Sequence, residues 1–422
     1  MCVSCIPWAS CTGCSVLSDN RVPTCVAILD HTSSLEPTGT LETLSLDSGY
    51  WRTSNTSRNI LTCYRETACA GGSTVEEYCS SGYEGPYCAV CQEDYSPGLD
   101  FSCSKCSTTS GIARVATSGV LLVSFFVLVV FILVNLVSLG PTSDEASNST
   151  SISVLRRLKG TVRLHSLKTI IVVWQIITQF SSVAGTVYPR AYERFLAIVN
   201  FANLDLASIL SVGCIFPANF YFRLFISTLG PLAVSVVLAC TYTVATLRNR
   251  GNRGRAAVIW KRHTSIALLV AFLVYPQVSS TVFSMFVCDD LDDGHSYLRA
   301  DYSIRCDTDY HRRLQMFAAF MVLVYPVGIP LVLGNILVAN RIALGKPESR
   351  DEDPNLKLFG DMWRPYRPEM YLYEMVAYLR RILLTGIVVF IYPNTATQIA
   401  VTILIELFFF LLSAFLVPHQ QR

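Results

Sequence analysis

Charge is scarce in this chain. Asp, Glu, Lys and Arg make up only 15% of its 422 residues, against about 25% in an average soluble protein. The basic residues that exist sit in short loops beside apolar runs, so nucleic-acid binding is excluded as a reading. Histidine is scarcer still: six, scattered. Gly-x-Ser-x-Gly, His-Glu-x-x-His, a phosphate-cradling glycine loop and the kinase signatures are all missing. No catalytic set, cofactor or metal is therefore expected, and an enzyme is not. The run Asp289–Gly294 is not an EF-hand, because Leu291 takes the third ligand position and no Glu follows at the twelfth. Also missing is any apolar stretch before Cys63 that would serve as a signal peptide. The start is read as truncated or mis-predicted, an internal methionine of a longer chain; the alternative is that the first span carries the short domain across.

What the chain has instead is apolar length. Hydrophobic residues make up 51% of it and its mean hydropathy is +0.42. About 20 apolar residues cover the ~30 Å hydrocarbon core of a bilayer, and several runs reach that. Spans are expected near 115–139, 169–187, 225–247, 265–287, 314–339, 376–392 and 399–417. The fold class is thus an all-α, multi-span membrane domain of about seven helices behind a small, disulfide-rich, loop-rich ectodomain. The segment 192–216 is ambiguous. Counting it as a span would put the basic loop Arg248–Arg262 outside. It is therefore read as re-entrant or surface-lying, with Asp205 either lining a mouth or simply solvated.

Orientation follows from Lys and Arg. The three expected inner loops hold nineteen of them, and the loop Arg248–Arg262 contains no acid. The outer loop Cys288–Arg313 carries four arginines but seven aspartates. Cytoplasmic loops carry the Lys/Arg excess, so the N-terminus is expected outside and the C-terminus inside. Asn55-Thr56-Ser57 is then an extracellular glycosylation sequon. Asn148-Ser149-Thr150 falls inside and is expected to stay unmodified.

Two spans are broken in the same way. Val274-Tyr275-Pro276 and Val324-Tyr325-Pro326 interrupt the fourth and fifth, with Pro330 one turn later. Proline removes an N–H and kinks a helix, and in a membrane the released carbonyl needs another partner. Cys288 and Cys306 bracket the loop between these spans, and a disulfide there would tie their outer ends. The loop's aspartates either gather cations or are merely solvated. Ionisable groups inside a membrane are costly and mark function or pairing. An ion pair is expected between Glu406 in the last span and Arg380 or Arg381 in the sixth. The competing arrangement has the arginines snorkelling to the inner surface. Cys214 and Cys240 are read as packing residues. Asp361–Pro368, rich in aromatics, is read as an interfacial anchor.

Twelve of the sixteen cysteines precede Ser107, a density that reads as disulfide stapling. Zinc is the competing reading for Cys2-x2-Cys5 and Cys11-x2-Cys14. Residues 1–62 are read as a loop-rich segment, 63–110 as a Cys-rich module and 111–422 as the membrane domain. The stretch Cys79-Ser-Ser-Gly-Tyr-Glu-Gly-Pro-Tyr-Cys88, followed by Cys91, Cys103 and Cys106, resembles the second half of a laminin-type EGF module and the repeats of ephrin-receptor-like ectodomains. That resemblance implies Cys79–Cys88 and Cys91–Cys103 pairing. Together with Phe201-x-Asn203-Leu204-Asp205, the two Tyr-Pro helices and the Trp363–Arg381 approach, the chain resembles membrane proteins of microbial eukaryotes. These join such an ectodomain to a TRP-like multi-span region. The resemblance implies a plasma-membrane, channel-like or transporter-like protein. The alternative is a receptor or adhesion protein whose helices only anchor and signal. The implied partners are the lipid bilayer, an extracellular ligand or matrix protein, and further copies of the chain.

Overall fold

The computed structural model describes residues 45–97, 101–106, 219–251, 253–346, 356, 360–364, 366–391 and 396–416. The expected spans at 115–139 and 169–187, the segment 192–216 with Asp205, Cys214, Asn148 and the early Cys pairs lie outside the described residues. The chain divides into two compact units, Met1–Cys106 with Asp290–His295, and the remainder.

The first unit is built from short antiparallel ladders. Strand β1 (Tyr50–Trp51) pairs with β2 (Leu61–Thr62), β3 (Tyr83–Glu84) with β4 (Val90–Cys91), and β5 (Tyr95–Pro97) with β6 (Cys103–Lys105). Two- and three-residue strands cannot hold a fold alone, so disulfides do much of the work. Cys63 bonds Cys69, Cys79 bonds Cys88, and Cys91 bonds Cys103, closing separations of 6, 9 and 12 residues. Loops of that size correspond to about 2–3 kcal/mol each in the chain-entropy account. The sulfurs pack with Leu46, Trp51, Ala68 and Tyr78. Gly82, at φ 89°, faces the Tyr95 ring so closely that a Cβ would collide with it. The Tyr83 hydroxyl accepts from the Cys103 N–H at 3.2 Å. Cys63–Cys69 was not anticipated from the sequence. Asn55 is exposed at a turn, and in the same unit Asp292 accepts from Ser57 Oγ (2.7 Å) and Asn59 Nδ2 (2.8 Å).

The second unit is helical. Its elements are α1 (Phe220–Arg248), α2 (Arg253–Ser284), a hairpin of β7 (Cys288–Asp290) and β8 (Ser296–Leu298), α3 (Asp309–Val322), a π-turn (Leu323–Val327), α4 (Gly328–Ala339), α5 (Arg341–Leu344), α6 (Gly360–Trp363), α7 (Tyr373–Thr385), a 3-10 turn (Ile387–Phe390) and α8 (Ala396–Leu416). Among the described residues four helical stretches are long and apolar enough to cross a membrane: Phe220–Arg248, Gly254–Ser284, Asp309–Ala339 and Thr397–Leu416. They coincide with the spans expected near 225–247, 265–287, 314–339 and 399–417.

The expected span 376–392 departs from that pattern. Helix α7 stops at Thr385 and a 3-10 turn follows. At Gly386 the Phe283 ring of α2 packs where a side chain would stand, and the next residues, Ile387-Val388-Val389, include β-branched ones that favour helix less. One core cluster gathers Tyr221, Leu224, Val278, Val282, Met321 and Tyr325. A second gathers Tyr275, Leu333, Leu337, Trp363 and Tyr378. The segment read as an interfacial anchor therefore behaves otherwise. Trp363 is wholly buried, its indole N–H donating to the Leu356 carbonyl at 3.0 Å. Cys240, read as a packing residue, is exposed on α1.

Candidate functional site

The proline breaks come first. Pro276 sits inside a continuous α2, whereas Pro326 lies in the π-turn, so the two Tyr-Pro motifs do not have the same backbone. The π-turn has a local cause. It brings the Leu323 carbonyl against residue 328, where an added Cβ would lie 2.7 Å from that oxygen, and glycine is there. The α-helical partner of the Pro326 carbonyl would be the N–H of residue 330, but residue 330 is proline and has none. Tyr275, fully buried on α2, supplies a donor instead: its hydroxyl donates to the Pro326 carbonyl at 3.2 Å. Tyr325 does the same one helix further on, donating to the Thr228 carbonyl of α1 at 2.6 Å, near Pro231. Pro276 and Pro326 are themselves buried and Pro330 is partly so. The two motifs thus meet through a tyrosine hydroxyl.

Next to this junction lies a set of charged groups on α7. The Tyr275 ring packs edge-on against Tyr378, centroids 5.1 Å apart. The Arg381 guanidinium lies 5.2 Å from the Tyr378 ring centre and 4.7 Å from that of Phe272 on α2. Such cation–π contacts gain most when desolvated. Phe272 is also the residue whose carbonyl loses its helical partner to Pro276. About two turns before Arg381, buried Glu374 accepts from the Tyr366 hydroxyl at 2.9 Å. Burial, with the Glu374 charge beside it, pushes the Tyr366 phenol far above its ordinary range.

Arg380 points to α8. Its Nη1 stands 3.8 Å from Glu406 Oε2, and both side chains are roughly two-fifths exposed (38% and 44%). Glu406 is the eleventh residue of the 21-residue α8, about 15 Å from its start at 1.5 Å per residue. A helix of that length matches the hydrocarbon thickness, and the pair stands at the helix's mid-length. The sequence offered either Arg380 or Arg381 as the partner of Glu406. The structure gives them separate tasks, Arg380 toward Glu406 and Arg381 toward the aromatics of α2.

At the opposite end of the unit, Cys288 bonds Cys306 across 18 residues. His311 is buried beside them, Nε2 4.0 Å from Cys288 Sγ and Nδ1 hydrogen-bonded to the Tyr221 hydroxyl at 3.1 Å. These three side chains are the one group among the described residues with the proximity of metal ligands. Both sulfurs are committed to the disulfide, which leaves a single imidazole. The loop aspartates are committed too. Asp289 pairs with Arg299 and accepts from the Tyr302 hydroxyl at 2.7 Å. Asp301 accepts from the Phe220 N–H at the start of α1 (2.9 Å) and from Ser303 Oγ (2.6 Å). Asp307 pairs with Arg305 at 2.6 Å and Asp309 with Arg312 at 3.6 Å. Four of the seven carboxylates therefore serve the loop's own structure, which speaks against a cation-gathering mouth built from them.

Comparison with protein-family models, curated proteins and solved structures finds no match to this chain. Its functional reading rests on the geometry above.

Proposed function

We propose that this chain is a multi-pass integral membrane protein of the channel-like or transporter-like kind. Its Cys-rich module lies outside the plasma membrane and its C-terminus in the cytoplasm. It has no enzymatic role. The observation that supports this best is the Arg380–Glu406 pair at mid-length of α8, flanked on α7 by Arg381 and Glu374. Ionisable groups at such depth are expensive and characteristically belong to ion or substrate pathways. The π-turn at Pro326 beside them fits the same reading, since irregular backbone at membrane depth is tolerated where it is buried or lines a cavity. The family resemblance carried by the Cys79–Cys106 stretch and the Tyr-Pro helices points the same way.

A receptor or adhesion protein is the second reading. It is favoured by the committed outer carboxylates and by the disulfide-stapled module, which offers a binding surface for an extracellular ligand or matrix partner. Flux measurements on the purified full chain in liposomes separate the two. Ion or solute flux that Glu406→Gln reduces at least about tenfold is expected for a pathway group. Flux absent under stretch, voltage and solute gradients, or unchanged in Glu406→Gln, overturns the channel-like reading.

A further inference from the structure

The turn joining α1 to α2 carries charge of one sign only. From residue 206 to residue 288 the chain contains no aspartate or glutamate. Within that stretch, Arg248, Arg250, Arg253, Arg255, Lys261 and Arg262 fall in fifteen residues. Arg248, Arg250, Arg255 and Lys261 are exposed. In the segment 288–313, arginines 299, 305 and 312 each face an aspartate of that segment.

Helix length says where these cations stand. Helices α1 and α2 have 29 and 32 residues, about 43 and 48 Å at 1.5 Å per residue. Both exceed the ~30 Å hydrocarbon core by more than 10 Å, and a typical tilt of about 20° absorbs only about 3 Å of that. The excess places the ends that meet at the turn among or beyond the headgroups. The side chains agree. Leu247, Val258 and Trp260 are exposed at 56%, 54% and 50%, interleaved with the basic residues. Apolar groups alternating with cations, with a tryptophan among them, suit a bilayer's boundary layer better than water. The tryptophan is held in place, because Trp260 and His263 both pack edge-on against Tyr242. His263, buried, is further fixed by Thr241 Oγ1 at 3.3 Å and the Ile259 carbonyl at 2.9 Å.

We infer that the α1–α2 turn is a docking site for anionic phospholipid headgroups of the leaflet it faces. The ligand chemistry is a phosphate diester bearing net negative charge. Arg248, Arg250, Arg255 and Lys261 supply the attraction, and Leu247, Val258 and Trp260 fix the depth. This rests on the membrane reading above and names the lipid class at one place in it. Each basic residue close to an anionic surface contributes roughly a fivefold preference.

The test uses the full chain in mild detergent, incubated with equal amounts of phosphatidylserine and phosphatidylcholine, with retained lipids counted by native mass spectrometry. Phosphatidylserine is expected to be retained at least about tenfold over phosphatidylcholine. The triple variant Arg248→Gln, Arg250→Gln, Lys261→Gln is expected to lose most of that preference. Raised salt should act likewise, since exposed charges are screened. A control variant, Arg305→Gln with Arg313→Gln on the outer side, is expected to keep it. Equal retention of the two lipids by the native chain, or an undiminished preference in the triple variant, overturns the site. Alkaline carbonate extraction is the independent check: release of the chain from membranes would sink the membrane reading itself, whatever the lipid counts.

Discussion

Replacing Tyr275 by Phe removes one oxygen and keeps the ring, so the edge-on contact with Tyr378 survives and only the hydroxyl is tested. The hydroxyl donates to the Pro326 carbonyl, whose helical partner is abolished by Pro330. Leaving a buried acceptor unsatisfied costs about 1–3 kcal/mol. Interhelical hydrogen bonds in membrane bundles average only about 0.6 kcal/mol and reach about 1.7. The upper end applies here, because the acceptor has been stripped of its own donor. Tyr325→Phe should fall near the lower value, since the Thr228 carbonyl faces residue 232, a leucine that keeps its N–H. Pro330→Ala restores the missing donor inside α4, so Tyr275→Phe should become nearly neutral in that background. The measurement is a double-mutant cycle by SDS-titrated unfolding of the purified chain in mild detergent. A coupling of about 1 kcal/mol between residues 275 and 330 is expected. An equal cost of Tyr275→Phe with and without Pro330 would refute the reasoning.

Two further outcomes are expected. Cys306→Ser opens the 18-residue loop closed by Cys288, which the chain-entropy account values at about 3 kcal/mol. A thiol reductant should lower the melting temperature of the native chain and leave that of the variant less affected. Asn55 is exposed at a turn, so the chain expressed in a glycosylating cell should carry a glycan there. Asn55→Gln should remove one glycosidase-sensitive step in gel mobility, and a glycan at Asn148 instead would invert the expected topology.

How much of this could be read from the residues alone depends on how local each property is. Apolar length is local, so four of the expected spans coincide with helices. The Cys288–Cys306 disulfide was visible because only those two cysteines bracket that loop. Helical phase was not visible. Arg380 and Arg381 are about 100° apart around α7, and which one meets Glu406 depends on the face that α8 docks against. Aromatic-plus-arginine composition misled at Trp363, because the same residues serve a headgroup anchor or a polar-edged core. Its complete burial and the Leu356 carbonyl 3.0 Å from its indole distinguish the two. Cys63–Cys69 escaped notice because spacing alone does not settle connectivity among so many cysteines.

The two Tyr-Pro motifs show the same limit from the other side. Their sequences nearly repeat, and a repeated dipeptide suggests a repeated kink. The residues C-terminal to each proline decide otherwise. After Pro276 come Gln277-Val278-Ser279-Ser280, all with backbone N–H groups, and α2 runs on to Ser284. After Pro326 come Gly328, which lets the Leu323 carbonyl approach, and Pro330, which removes a second N–H four residues on. Two lost donors within one turn give a π-turn and an orphaned carbonyl, and the intact helix provides the tyrosine that meets it. The motifs are therefore donor and acceptor of one contact. The continuous α2 meets the π-turn of the helix beside it through this contact, and it does so next to Tyr378 and Arg381 of α7.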